Sequence, residues 1–214
     1  MRLALLAAVA LSALTAPAFA EQGDFLVRLR GIGVIPTENA GPISGIPTGS
    51  VSVNNAYTPE IDFTYYFTKN ISAELIAATT KHEVFGEGAI AALGEIGSTR
   101  VLPPTLTFQY HPLPDQRFNP YVGVGVNWTI FYNEKVSSSL TGALGPTVLN
   151  VDNSVGVAYQ AGFDYYLTDR VFFNADVKYI QIDTTATLNS MGTINTVDID
   201  LDPIVVGFGF GMKF

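Results

Sequence analysis

The closing stretch Pro203-Ile204-Val205-Val206-Gly207-Phe208-Gly209-Phe210-Gly211-Met212-Lys213-Phe214 has the period of a strand. Ile204, Val206, Phe208, Phe210, Met212 and Phe214 fall on one face, while Val205, Gly207, Gly209, Gly211 and Lys213 fall on the other. One face is continuously large and apolar, and the other is mostly glycine. A soluble sandwich also buries an apolar face, but this strand has few polar residues to cover an outer surface. Lipid on one side and a crowded interior on the other suits it better.

The start of the chain reads as an export signal. Arg2 precedes a small and apolar run over residues 3–14, and Ala18-Phe19-Ala20 has the small-x-small form of a cleavage site. A signal peptide is therefore expected at 1–20 and the folded domain at 21–214. No later run approaches the roughly 20 apolar residues of a spanning helix, so a membrane form of this chain must be a barrel. Of the 214 residues, 194 follow the signal, with ten basic against nineteen acidic side chains, a balance that argues against nucleic acid. With no cysteine, disulfides and thiolate metal sites are excluded.

Working back from the last strand, alternation recurs near 24–35, 57–67, 71–82, 105–111, 121–132, 153–167 and 171–184. Connections alternate long and short, with long loops expected near 36–56, 83–100, 133–152 and 185–202. Two short turns repeat each other, Tyr65-Tyr66-Phe67-Thr68-Lys69-Asn70 and Tyr165-Tyr166-Leu167-Thr168-Asp169-Arg170. The fold expected is all-β: an eight-stranded antiparallel up-and-down transmembrane β-barrel with short periplasmic turns and long external loops. Phe67, Tyr110, Tyr165, Phe173 and Phe214 near one rim, and Trp128, Tyr132 and Tyr179 near the other, match two interfacial girdles.

Eight strands enclose a space that side chains nearly fill, so the inward parity decides the function. Toward the periplasm it gives Arg28, Arg30, Glu74, Asp164, Asp176, Lys178 and Lys213, which must pair and so form an interior plug. Toward the exterior it gives Ile32, Val34, Ile76, Phe131, Ile180, Ile182, Leu201 and Val205. These eight are read as a blind hydrophobic ligand channel; an inert structural interior is the alternative. The apolar residues Val84, Phe85, Ile90, Leu93 and Ile96 of the second loop either pack over the mouth or form a greasy entrance. Pro103 and Pro104 lack N–H donors and mark a lateral exit, or else merely begin a strand.

No catalytic residue, metal or cofactor is assigned. His82 and His111 belong at opposite ends of the barrel and share no site. His82-Glu83 with Ser98 has the residue types of a hydrolytic triad, but nothing in the sequence brings Ser98 beside His82. Asp198, Asp200 and Asp202 read as the solvated top of the last strand, with a divalent-cation site as the alternative.

Val27-Arg28-Leu29-Arg30-Gly31 with Pro36, Phe63-Thr64-Tyr65-Tyr66-Phe67-Thr68, Ala73-Glu74-Leu75, His82, Leu102-Pro103-Pro104-Thr105, Gln109-Tyr110, the stretch Pro120-Tyr121-Val122-Gly123-Val124-Gly125-Val126-Asn127 and terminal Phe214 together resemble the OmpW family over the whole mature chain. Phe25 stands where that family usually has Trp. The resemblance implies a barrel in the outer membrane of a Gram-negative bacterium that admits small hydrophobic molecules by passive diffusion. It implies outer-membrane lipids, small hydrophobic solutes and the barrel-assembly machinery as partners, with Phe214 as the membrane insertion signal. A structural or receptor barrel with an inert interior is the rival reading.

Overall fold

The structure is a computed structural model and describes residues 20–214; the expected signal peptide, apart from Ala20, lies outside them. Along the chain run β1 (Phe25–Ile35), β2 (Asn39–Ala40), β3 (Gly49–Val53), β4 (Ala56–Thr68), β5 (Ile71–Ala78), β6 (Thr80–Gly88), β7 (Glu95–Leu102), β8 (Thr105–Tyr110), β9 (Phe118–Val136), β10 (Thr147–Val151), β11 (Ser154–Tyr166), β12 (Val171–Ile180), β13 (Asp183–Ser190), β14 (Thr193–Asp200) and β15 (Ile204–Lys213). A 3-10 turn at Ala91–Leu93 and helix α1 at Ser138–Leu144 complete them. β1, β4, β5, β8, β9, β11, β12 and β15 form a closed eight-stranded antiparallel barrel, with β15 paired to β1 and β11 to β9. Closure is what lipid demands, because an open edge would leave backbone donors and acceptors with no water to satisfy them.

The outer face of the barrel is apolar, as the parity predicts: Leu75, Phe108, Val124 and Phe208 are all about half exposed. Both repeated turns close in the same way. The Thr68 hydroxyl accepts from the N–H of Asn70 and Ile71, and the Thr168 hydroxyl from the N–H of Arg170 and Val171.

Above the membrane each of the four expected loops contains strand, which corrects the sequence reading. β3, β6, β7 and the top of β9 extend one side of the barrel, and β10, β13, β14 and β2 form a separate four-stranded sheet on the other. Polarity inverts there. Ala186, Val197 and Ile199 turn inward and are buried, whereas Asp198 and Asp200 face water. With Ile43, Val51, Ile96 and Leu140 they make one apolar cluster, and its burial holds the collar together. The apolar part of the second loop packs into this cluster through Val84, Ile90 and Leu93.

Two expected strands are broken. The strand expected through His82 stops after Ala78, where the Thr79 carbonyl accepts from Thr58 Oγ1 at 2.9 Å and its hydroxyl meets Tyr132 OH at 2.6 Å. The one expected through 184 breaks at 181–182, where Ile182 N donates to Asp202 Oδ1 at 3.0 Å. Asp198 and Asp200 belong to β14, not to the top of the last strand.

Candidate functional site: an apolar cavity on an ionic floor

β1 positions the lower interior. Its inward arginines follow the strand period, and both are buried. Arg28 donates through Nη1 to Asp62 at 2.9 Å, Thr64 at 2.6 Å and Glu74 at 3.2 Å, and through Nη2 to Asp164 at 2.9 Å. The rings of Tyr121 and Phe172 flank its guanidinium, which adds cation–π attraction. Arg30 pairs with Asp62 at 3.0 Å, Asp176 at 2.8 Å and, closest of all, Glu60. Lys178 reaches Asp176 at 2.8 Å and Glu60 at 3.4 Å, and Gln160 donates to both Glu74 and Asp176 at 2.7 Å.

Six of the seven charged residues expected in the lower interior therefore lie in one network. The reading missed Glu60 and Asp62, although Asp62 shares its parity with Thr64 and Tyr66, and Glu60 continues it by one step. Lys213 lies apart at the lower end, 3.3 Å from Asp24.

Above this network lies a cavity of about 110 Å³. For scale, a dry apolar cavity of about 150 Å³ accepts benzene. Ile32, Val34, Ile76, Phe131, Ile180, Ile182, Leu201 and Val205 all line it, joined higher up by Ile96, Leu140 of α1 and Leu149. Glu60 and Lys178 are at its floor, and Thr80, His82, Thr99, Thr105 and Thr184 give it a few polar groups.

Pro103 also lines the cavity, at a break in the wall. The β5–β8 ladder ends at Ile76 and Thr105, and β6–β7 pairing resumes only at Thr80 and Val101. On the other side the prolines are tied to β9, since Trp128 N donates to the Pro104 carbonyl at 3.0 Å and Asn127 Nδ2 to the Pro103 carbonyl at 3.2 Å.

His82, in β6 above the membrane, has both ring nitrogens engaged. Nδ1 lies 3.0 Å from the Asn54 carbonyl, which only accepts, so Nδ1 carries the proton and Nε2 accepts from Thr80 Oγ1 at 3.0 Å. Burial holds this imidazole below its ordinary pKa. Glu83 pairs with Ser98 across β6 and β7, and His82 with Thr99, so the strands run side by side while the imidazole bonds elsewhere. His111 lies at the lower end against Tyr66, Ser72 and Asn119. Asp198 accepts from Thr185, and Asp202 accepts from Tyr179 and from Ile182 N. Among the described residues no three acidic or histidine groups converge as a metal set.

A family model described as OmpW family matches residues 21–214. The chain belongs to the OmpW family. Outer membrane protein W of Vibrio cholerae serotype O1 is 38% identical over 216 residues, spanning 99% of this chain and 97% of its own length. Outer membrane protein AlkL of Ectopseudomonas oleovorans is 29% identical, spanning 92% of this chain and 83% of its own. The crystal structure of OprG from Pseudomonas aeruginosa matches with a TM-score of 0.86 at 32% identity, over 92% of this chain and 98% of that one. This OmpW-family chain is thus a Gram-negative outer-membrane β-barrel.

Three glycines of its last strand leave room for groups packed closely against them. A Cβ on Gly211 would strike the Phe172 ring and come within 2.9 Å of Arg28 Cγ. One on Gly207 would crowd Asp176 Oδ1 at 2.9 Å, and one on Gly209 would strike the backbone of β1.

Proposed function

We propose that this OmpW-family barrel is a passive conduit for small hydrophobic molecules, which enter the apolar upper cavity, meet a plugged ionic floor and leave sideways at Pro103 and Pro104. One observation carries the reading: an apolar cavity ends blind on a charged network and reaches the wall just where strand pairing is interrupted. A purely structural interior has no need of that coincidence. The OmpW-family membership supports the same solute class.

Toluene uptake into proteoliposomes is the test. Ile180→Trp, which fills the cavity, is expected to lower the uptake rate at least fivefold. Replacing both prolines with valine, which restores two N–H donors, is expected to lower it by a similar factor. Uptake no faster than in empty vesicles would favour the structural or receptor reading. Unchanged uptake in the double proline variant would remove the lateral exit alone.

The ends of the chain complete the proposal. Residues 1–20 direct export and are cleaved, and Phe214 is read by the barrel-assembly machinery. Phe214 is 69% exposed at the tip of the closing ladder, where its N–H donates to the Phe25 carbonyl at 2.9 Å. Deleting Phe214 is expected to cut the amount of assembled protein in the outer membrane severalfold, while refolding of the purified chain into lipid is little changed. Equal amounts of both forms in the membrane would remove the signal role.

A further inference from the structure

The cavity ends on a network whose formal charges do not cancel. Its two charged lining residues, Glu60 and Lys178, are also members of the ionic network. That network contains three cations, Arg28, Arg30 and Lys178, and five carboxylates, Glu60, Asp62, Glu74, Asp164 and Asp176. All eight are at most 6% exposed, so the formal excess of two negative charges is held away from water. The other groups bonded to it, Thr64, Thr107, Gln109, Gln160 and Asn174, are uncharged and do not cancel the excess.

Acceptor capacity is left over at the top of the network. Arg30 and Lys178 both use the same Glu60 oxygen, Oε1. Asp176 spends Oδ2 on Arg30, Lys178 and Gln160, while among the described residues its buried Oδ1 has no hydrogen-bond partner. Oδ1 and Ile32 Cγ2 lie 2.9 and 3.1 Å from the place a Cβ on Gly207 would occupy, so the orphan oxygen stands where the apolar wall begins.

We propose that this floor is a head-group site for a protonated amine on an otherwise apolar molecule, with the ammonium received by Glu60 and the alkyl chain lying against Ile32, Ile180 and Val205. An ammonium supplies donors and a positive charge to a floor that has spare acceptors and a negative excess. A fatty-acid anion would add a further uncompensated charge and is disfavoured. A bare metal ion needs a shell of oxygens, which the apolar walls above the floor do not supply. The inference rests on the conduit reading above and adds to it a selectivity by head-group charge.

Methyl NMR of the full barrel in lipid nanodiscs tests it, with the Ile32, Ile180 and Val205 methyls as reporters and n-hexylammonium, n-hexanoate and toluene as probes. Hexylammonium is expected to bind at least tenfold more tightly than hexanoate. Glu60→Gln is expected to reduce that ratio at least threefold. Hexanoate binding as tightly as hexylammonium in the native protein overturns the head-group site without any variant, and so does an unchanged ratio in Glu60→Gln. If toluene shifts the methyls and hexylammonium shows no preference, the conduit stands and the head-group site falls. If hexylammonium binds and toluene does not, the floor site stands and the hydrophobic conduit falls. If no probe shifts the methyls, both fall.

Discussion

Arg28→Met is expected to leave the barrel unable to stay folded under conditions in which the native protein is stable. One guanidinium serves Asp62, Glu74 and Asp164, all buried with it. Its loss strands Asp164 and leaves Asp62 and Glu74 to share Arg30 with Glu60 and Asp176, in a space surrounded by lipid. Breaking a buried pair by removing one partner costs about 3–5 kcal/mol, a large share of the roughly 5–15 kcal/mol that typically separates folded from unfolded chains. Urea unfolding in lipid vesicles measures it. Lys69→Met is the contrast, because Lys69 and Asp115 form an ion pair whose side chains are 51% and 67% exposed. Pairs of that kind are worth about 0–1 kcal/mol. Adding Asp164→Asn to Arg28→Met should restore part of the loss, since it removes one stranded charge. If Arg28→Met shifted the unfolding midpoint no more than Lys69→Met, the network would not be what holds the lower barrel.

Gly209→Val is expected to block closure between the first and last strands. Gly209 lies opposite Arg30 in that ladder, and a Cβ there would collide with the Leu29 carbonyl and stand 2.7 Å from Arg30 Cα. Both obstacles are backbone, which no rotamer change can move aside. Gly31, opposite Phe208 in the same ladder, has nothing within 4 Å of an added Cβ. Gly31→Val should therefore fold as well as the native chain, or slightly better, as valine replaces glycine on a lipid-facing strand. The folded fraction on refolding into vesicles, read from the mobility of unheated samples in detergent gels, compares the two. Equal folded fractions would show that the ladder tolerates a widening the structure does not contain.

The barrel was legible in the sequence because lipid enforces a strict rule on the outer parity. Leu106, Phe108 and Tyr110, or Val122, Val124 and Val126, repeat it without exception, and all six are exposed. The collar was less legible because the rule reverses. In Thr196-Val197-Asp198-Ile199-Asp200 the alternation is as regular as in any barrel strand, but here the apolar set faces inward and the acidic set faces water. Read with the sign of the barrel, the stretch looked like a strand end. Read with the opposite sign, it is a strand of its own.

The eight upper interior positions followed from parity alone, and all eight line the cavity. The floor was harder. Glu60 follows Pro59 near the start of its strand, and nothing local marks it as the residue that shares one oxygen between Arg30 and Lys178. That sharing depends on Lys178, 118 residues away. Pattern reading supplies faces, whereas partners across a barrel depend on tilt and stagger.

The reversal of polarity at the collar also changes where oil ends and water begins. Around the barrel that boundary is the bilayer surface, but inside the protein the apolar lining continues above it. β13, with eight residues, extends roughly 25 Å along its own direction. For an apolar molecule taken up by the conduit proposed above, the step out of water would then take place at the rim of the collar, outside the polar shell of the membrane. The collar is in this sense an outgrowth of the bilayer's interior, wrapped in a hydrophilic coat and carried out to meet the medium.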